Sequence, residues 1–232
     1  MPEQSYHQFC PVAMASELLC TRWTMLILRE LLAGSTRFNE LRRGLPRISP
    51  ALLSQRLKEL EDAGVVERHA SDREAGVAEY HLTSMGRDLR PLVEGFGRWG
   101  QRWISSELSL EKLDGTLLVW DMRRNLRIDP APPVRKVVKL RFPDAPPKDS
   151  DFWLVVAPGA EVDLCKVDPG FDVDLYVTTE LKAMTAIWMG LLPFAAALRD
   201  DRVRLAGDPR LASAFPSWLG LSPFASVGRM VA

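Results

Sequence analysis

Apolar positions recur at helical spacing through the first hundred residues and then give way to shorter, strand-like runs. Met14 to Leu19 predicts a short helix. Trp23 to Ala33 (WTMLILRELLA) predicts a second, stopped by Gly34, a residue type that readily takes the left-handed conformation at helix ends. Thr36 to Arg43 predicts a third, with Phe38 and Leu41 inward and Gly44 at its end. Ser49 and Pro50 supply an N-cap and a first helical residue for a fourth helix, which runs through LLSQRLKELEDA to Gly64. VVERHA (65–70) and AEYHLT (78–83), separated by the polar SDREAGV, predict a β-hairpin with a charged tip. Thr83 can cap a further helix, Ser84 to Ile104, in which Leu89, Leu92, Val93, Phe96, Trp99, Trp103 and Ile104 recur at helical spacing.

A boundary falls around Ser105 to Leu110, giving a first domain over 1–106 and a second over 112–232. Beyond it prolines cluster (Pro130, Pro132, Pro133, Pro143, Pro146, Pro147) between segments that read as strands: KVVKLRF (136–142), FWLVVA (152–157), EVDLCK (161–166) and DVDLYV (172–177). Thr178 and Thr179 can cap a helix over Glu180 to Met189. A helical piece over Leu192 to Arg199, a strand near Val203 to Leu205 and a short helix near Pro209 to Phe215 close the chain.

Composition narrows the class. At 232 residues, 47% hydrophobic and 26% charged, the chain can bury two cores and reads as an ordinary globular protein. It has no apolar run of the roughly 20 residues that span a bilayer, and MPEQSYHQFC has neither the basic start nor the apolar stretch of a signal peptide. Three widely spaced cysteines (Cys10, Cys20, Cys165) fit a reducing cytoplasm better than a disulfide framework. The formal net charge is +0, yet six cations and one acid lie between Arg37 and Lys58, a net +5 over 22 residues. Such a patch can make the phosphate contacts that dominate affinity for DNA; it can also be a solvated helical face.

Helix, helix, turn, helix, hairpin, helix is the order of a winged helix-turn-helix domain. At about 100° per residue, Leu53, Leu57 and Leu60 share one face of the fourth helix and Ala51, Ser54, Gln55 and Lys58 the opposite one. Small, amide and cationic side chains suit a major groove, where Gln pairs with adenine and Lys with guanine or phosphate. Arg42, Arg43 and Ser49 join them as candidate DNA contacts, and the hairpin tip adds Arg68, His69 and Arg73.

Cys10-Pro11, the run RWTMLILRELLAGSTRFNELRRGLPRISPALLSQRLKELEDAGVVER and EYHLTSMGRDL carry a specific likeness: residues 10–104 resemble the HxlR family of winged-helix regulators. That resemblance implies a homodimer on a two-fold-symmetric stretch of double-stranded DNA, with dimer contacts from the N-terminal segment and the Ser84–Ile104 helix. It also implies a thiol-sensing alternative at Cys10, which needs an accessible setting that stabilises a thiolate. Cys20 reads as core.

The second half offers no catalytic constellation, so an enzyme and a cofactor are not expected. The three histidines (His7, His69, His81) all lie in the first half, without metal-ligand spacing to the cysteines. Asp163, Asp168, Asp172 and Asp174 read as strand and turn polarity, with Asp172 and Asp174 on one strand face and Leu175 on the other. Phe152, Leu154, Leu175, Met184, Ile187, Trp188, Leu191 and Phe194 can line a deformable apolar pocket or form an ordinary core. The stretch from FDVDLYVTTELKAM through RVRLAGDPRL to SPFA resembles the sterol-carrier-protein-like fold over about residues 136–225. This likeness implies a mostly antiparallel sheet covered by helices around an apolar tunnel for an acyl or similar ligand. The expected fold class is therefore α+β, a winged helix-turn-helix domain followed by a sterol-carrier-like domain. The expected function is a one-component, repressor-type transcriptional regulator in the cytoplasm. A lipid carrier with an interaction-only helix-turn-helix half is the alternative from another class.

Overall fold

The computed structural model describes residues 5–71, 74–105, 110, 113–129 and 131–231. It divides into two compact units, Met1–Phe96 and Gly97–Ala232.

In the first unit, α1 (Pro11–Leu19) opens with a proline, whose missing N–H costs nothing there. Helix α2 (Thr24–Leu32) buries Ile27, Leu28 and Leu31, and Gly34 ends it at φ +97°. Helix α3 (Phe38–Gly44) is fixed at its start by Glu40, whose Oε2 accepts from the backbone N–H groups of Thr36 (2.9 Å) and Arg37 (3.1 Å). Helix α4 (Pro50–Asp62) is capped by Ser49, whose Oγ accepts from Leu52 N at 3.3 Å. Its leucine stripe, Leu53, Leu57 and Leu60, is at most 1% exposed and packs on Ile27, Leu28, Leu41, Leu45 and Val65. Strands β1 (Val66–Ala70) and β2 (Ala78–Leu82) form an antiparallel hairpin in the register Arg68↔Tyr80. Arg37 adds a single bridge to Glu79, so the hairpin is tied to the entry of α3.

The expected Ser84–Ile104 helix is broken. It forms α5 (Ser84–Arg87), capped by Thr83, and α6 (Arg90–Trp103). Pro91 is the reason: without an N–H it cannot bond the Arg87 carbonyl, and its ring crowds the preceding turn. Cys20, expected in the core, is exposed just past α1.

The second unit holds a five-stranded sheet in the order β5-β4-β3-β6-β7: β3 (Lys136–Arg141), β4 (Asp151–Val156), β5 (Asp163–Cys165), β6 (Leu175–Thr179) and β7 (Val203–Gly207). Its pairs are antiparallel except β3–β6, which is parallel. A 3-10 turn, Pro147–Asp149, precedes β4. One sheet face (Val138, Leu140, Phe152, Leu154, Leu175, Val177) packs under α7 (Gly115–Arg124), α8 (Leu181–Trp188), α9 (Phe194–Arg199) and α10 (Pro209–Trp218). No described helix is long and apolar enough to cross a membrane.

Three further expectations change. The strand read over 172–177 begins only at Leu175, because Asp174 turns aside to accept from Lys136 Nζ and the Val137 N–H, each at 2.8 Å. Helix α8 takes its cap not from Thr178 or Thr179 but from Asp144, whose Oδ1 accepts from Leu181 N at 2.9 Å. Helix α9 starts at Phe194 rather than Leu192, directly after Pro193.

Candidate nucleic-acid interface

Each described side chain expected to meet DNA is exposed. Arg42 and Arg43 stand in the last turn of α3, and Ser49 caps α4. Ala51, Ser54, Gln55 and Lys58 share the α4 face opposite the buried leucines. Arg68 and His69 are exposed on β1. Arg73 lies outside the described residues. Strand alternation separates Arg68 from His69: His69 sits on the hairpin face with Glu67, Glu79 and His81, whereas Arg68 pairs across from Tyr80 on the other. His69 Nε2 is 3.4 Å from Glu67, and its ring stands edge-on to His81 with centroids 5.7 Å apart.

Three supporting arrangements escaped the sequence reading. Glu30 is fully buried; Oε1 accepts from Arg29 Nη2 at 2.7 Å, and the same nitrogen donates to the Gly44 carbonyl at 2.9 Å. A Cβ on Gly44 would lie 1.9 Å from Glu30 Oε2, so only glycine fits where α2 and α3 meet. A lone Glu inside the apolar run TMLILRELL was the available signal. Arg37 contacts Glu74 (3.1 Å), Glu79 (3.3 Å) and Ser71 (3.3 Å), clamping the tip end of the hairpin. The Ser71 hydroxyl is the main cause holding the Glu79 carboxyl below its ordinary pKa; burial opposes it, and Arg37 and His81 assist. On α4, Arg56 and Gln55 both bond Glu59.

These elements make a scaffold that presents one polar helix face above a dry core, flanked by cations, which suits insertion into a groove lined by phosphates. The HxlR-like helix-turn-helix family profile matches residues 18–108. The HTH-type transcriptional regulator YvaP of Bacillus subtilis (strain 168) is 41% identical over 98 residues, covering 42% of this chain and 91% of the relative. The chain belongs to the HxlR-like helix-turn-helix family. A second relative from the same organism, the HTH-type transcriptional regulator YybR, is 33% identical over 115 residues, covering 50% of this chain and 90% of YybR. Among solved structures, the putative HTH-type transcriptional regulator ytcD is 33% identical with a TM-score of 0.37, covering 40% of this chain and 94% of that one. YvaP and YybR are both named as HTH-type transcriptional regulators.

Two other candidate sites of this HxlR-like chain have definite places. Cys10 is exposed at the N-cap of α1, where the Ala13 and Val12 amides hold its thiol pKa below the ordinary value. Phe152, Leu154, Leu175, Met184, Ile187 and Trp188 are buried in a single core, with Phe194 packed at its edge and Leu191 half-buried in the turn after α8. Among the described residues no group of three or more His, Cys, Asp or Glu is arranged to hold a metal ion.

Proposed function

We propose that this protein is a DNA-binding transcriptional regulator that inserts α4 into the major groove, acting as a homodimer on a two-fold-symmetric operator. The observation that carries the reading is the α4 face of Ala51, Ser54, Gln55 and Lys58, exposed opposite a leucine stripe at most 1% exposed. Arg42 and Arg43, exposed in the last turn of α3, are assigned phosphate contacts. For the dimer, support comes from α6: Leu92, Phe96, Trp99 and Trp103 are all exposed and fall within about 60° of one another around the helix. Tyr6, Phe9, Val12 and Met14 add exposed apolar surface near the N-terminus. Side chains this large and apolar are costly to leave in water and mark an interaction face. The test is selection of bound sequences from a random double-stranded DNA library by the full-length protein. Recovery of an inverted repeat with half-sites about one helical turn apart is expected. Failure to enrich any sequence at low salt would sink the reading.

The second unit is assigned the sensing of a small apolar or acyl-type ligand. The reading is supported by its resemblance to the sterol-carrier-like fold and by a mostly antiparallel sheet covered by helices. Because Phe152, Leu154, Leu175, Met184 and Ile187 are at most 1% exposed and pack together, a ligand enters by parting them. Native mass spectrometry that finds no co-purifying or added fatty acyl chain bound would remove this part. A second reading is favoured by the exposed Cys10 thiol at a helix N-terminus, a setting that promotes thiolate chemistry. There, oxidant-dependent loss of DNA binding disappears in Cys10→Ser.

A further inference from the structure

The carboxamide of Gln55 is tethered through its nitrogen. One Nε2–H donates to Glu59 Oε1 at 2.9 Å. Glu59 Oε2 in turn accepts from Arg56 Nη1 at 2.5 Å, and Arg56 Nε donates to the Arg22 carbonyl at 3.2 Å. Arg56 is mostly buried, its side chain 16% exposed, while Gln55 stands in the open. A carboxylate only accepts hydrogen bonds, so the nitrogen of the amide, never its oxygen, faces Glu59. The relay therefore fixes which way the amide is flipped. It leaves Oε1 and the second Nε2–H for a base edge.

That remaining pair matches adenine, which offers an N6–H donor and an N7 acceptor in the major groove. Guanine offers two acceptors there, O6 and N7. An unconstrained glutamine can meet guanine by pointing both amide hydrogens at it. With one hydrogen committed to Glu59, this one cannot, and Oε1 would face guanine O6. Arg56 also neutralises Glu59, which would otherwise repel the phosphates at the groove edge. Resting on the DNA-binding reading above, we propose that Arg56 and Glu59 are positioning residues that lock the Gln55 carboxamide, making α4 selective for one adenine in each half-site.

The experiment uses the full chain and the sites it selects from a random duplex library, with affinity then read by fluorescence anisotropy at fixed salt. Wild type is expected to show one A·T position per half-site at which change to G·C weakens binding about 10-fold or more. Gln55→Ala should abolish that preference. Glu59→Ala should cut it below about 3-fold while affinity for the G·C-substituted site holds or rises, a pattern that mere loosening of the helix cannot produce. Glu59→Gln has a single acceptor oxygen, which Arg56 takes, so it turns a donor toward Gln55 and should likewise lose most of the preference, whereas a purely packing role for Glu59 would leave the preference intact in this isosteric variant. Circular dichroism of each variant controls for folding. Undiminished adenine preference in Glu59→Ala, or selected sites without a position that depends on Gln55, would overturn the proposal while leaving DNA binding intact. Failure to select any site would overturn the underlying reading as well.

Discussion

Gly44→Ala is a small change with a large expected cost. The backbone of Gly44 is helical, so on propensity alone alanine would stabilise α3 by up to about 1 kcal/mol. The added methyl, however, would sit 1.9 Å from Glu30 Oε2 and 2.1 Å from its carboxyl carbon. Glu30 is 0% exposed and has no solvent to swing into. Moving it loosens its bonds to Arg29, and disrupting a buried ion pair costs about 3–5 kcal/mol. Arg29 is a third exposed and can follow in part, so the net expectation is about 2–4 kcal/mol. In a Glu30→Ala background the obstruction is gone, and the same substitution should be neutral or slightly stabilising. The coupling in this double-mutant cycle should therefore exceed about 2 kcal/mol. Hydrogen exchange read by mass spectrometry on peptides covering 24–44 measures it locally, free of the second unit's own unfolding. Equal cost of Gly44→Ala in both backgrounds would refute the argument that Glu30 excludes a side chain at 44.

Other outcomes follow from the same geometry. Arg37→Ala removes the hairpin clamp, so exchange in 66–82 should quicken and DNA affinity fall about 3- to 10-fold, the loss of roughly 1 kcal/mol of ordering, with base preference unchanged; an altered preference would contradict a purely supporting role. Phe96→Asp with Trp99→Asp should convert a dimer to a monomer in light scattering, and a monomeric wild type would show that the α6 stripe serves something else. Asp208 is held below its ordinary pKa first by the Arg210 and Leu211 amides, with burial opposing and Lys136 assisting. A carboxyl lowered by folding contributes stability in full above its unfolded value of about 4 and loses it as pH falls through the folded value. Asp208→Asn should therefore flatten the acid limb of thermal stability below about pH 4; parallel slopes for both proteins would show that Asp208 does not couple protons to folding.

Local rules made the first unit readable. Gly34, Gly64, Ser49-Pro50 and Thr83 act within a turn or two of themselves, and the structure uses each as expected. The α4 faces were equally legible, since a single helix fixes their angles. What failed was competition and distance. Pro91 outweighed an apolar period that ran straight through it. Helix α7 was missed because Leu118, Val119, Trp120 and Met122 are all buried around most of its circumference, leaving only a narrow Asp121–Arg124 stripe to mark a helical period. The Arg37–Glu79 clamp joins residues 42 apart, and nothing near either one announces the other. The Gln55–Glu59 bond was visible as a spacing of four, but its meaning depended on Arg56 reaching the Arg22 carbonyl.

The fixed start and leucine stripe of α4 also govern how this scaffold can change its target. Because Ser49 and Pro50 set where the helix begins and Leu53, Leu57 and Leu60 set its rotation, the reading face has a phase. One residue inserted in the first turn would turn the leucine stripe and Gln55 together by about 100° relative to the Ser49–Pro50 start, so either the core packing or the cap is lost and insertions and deletions are closed to it. The shortest insertion that nearly restores phase is seven residues, about 20° short of two turns, and it would lengthen the helix by about 10 Å. Retargeting must proceed by exchange of side chains at positions such as Ala51 and Ser54, on a helix whose length and start stay constant.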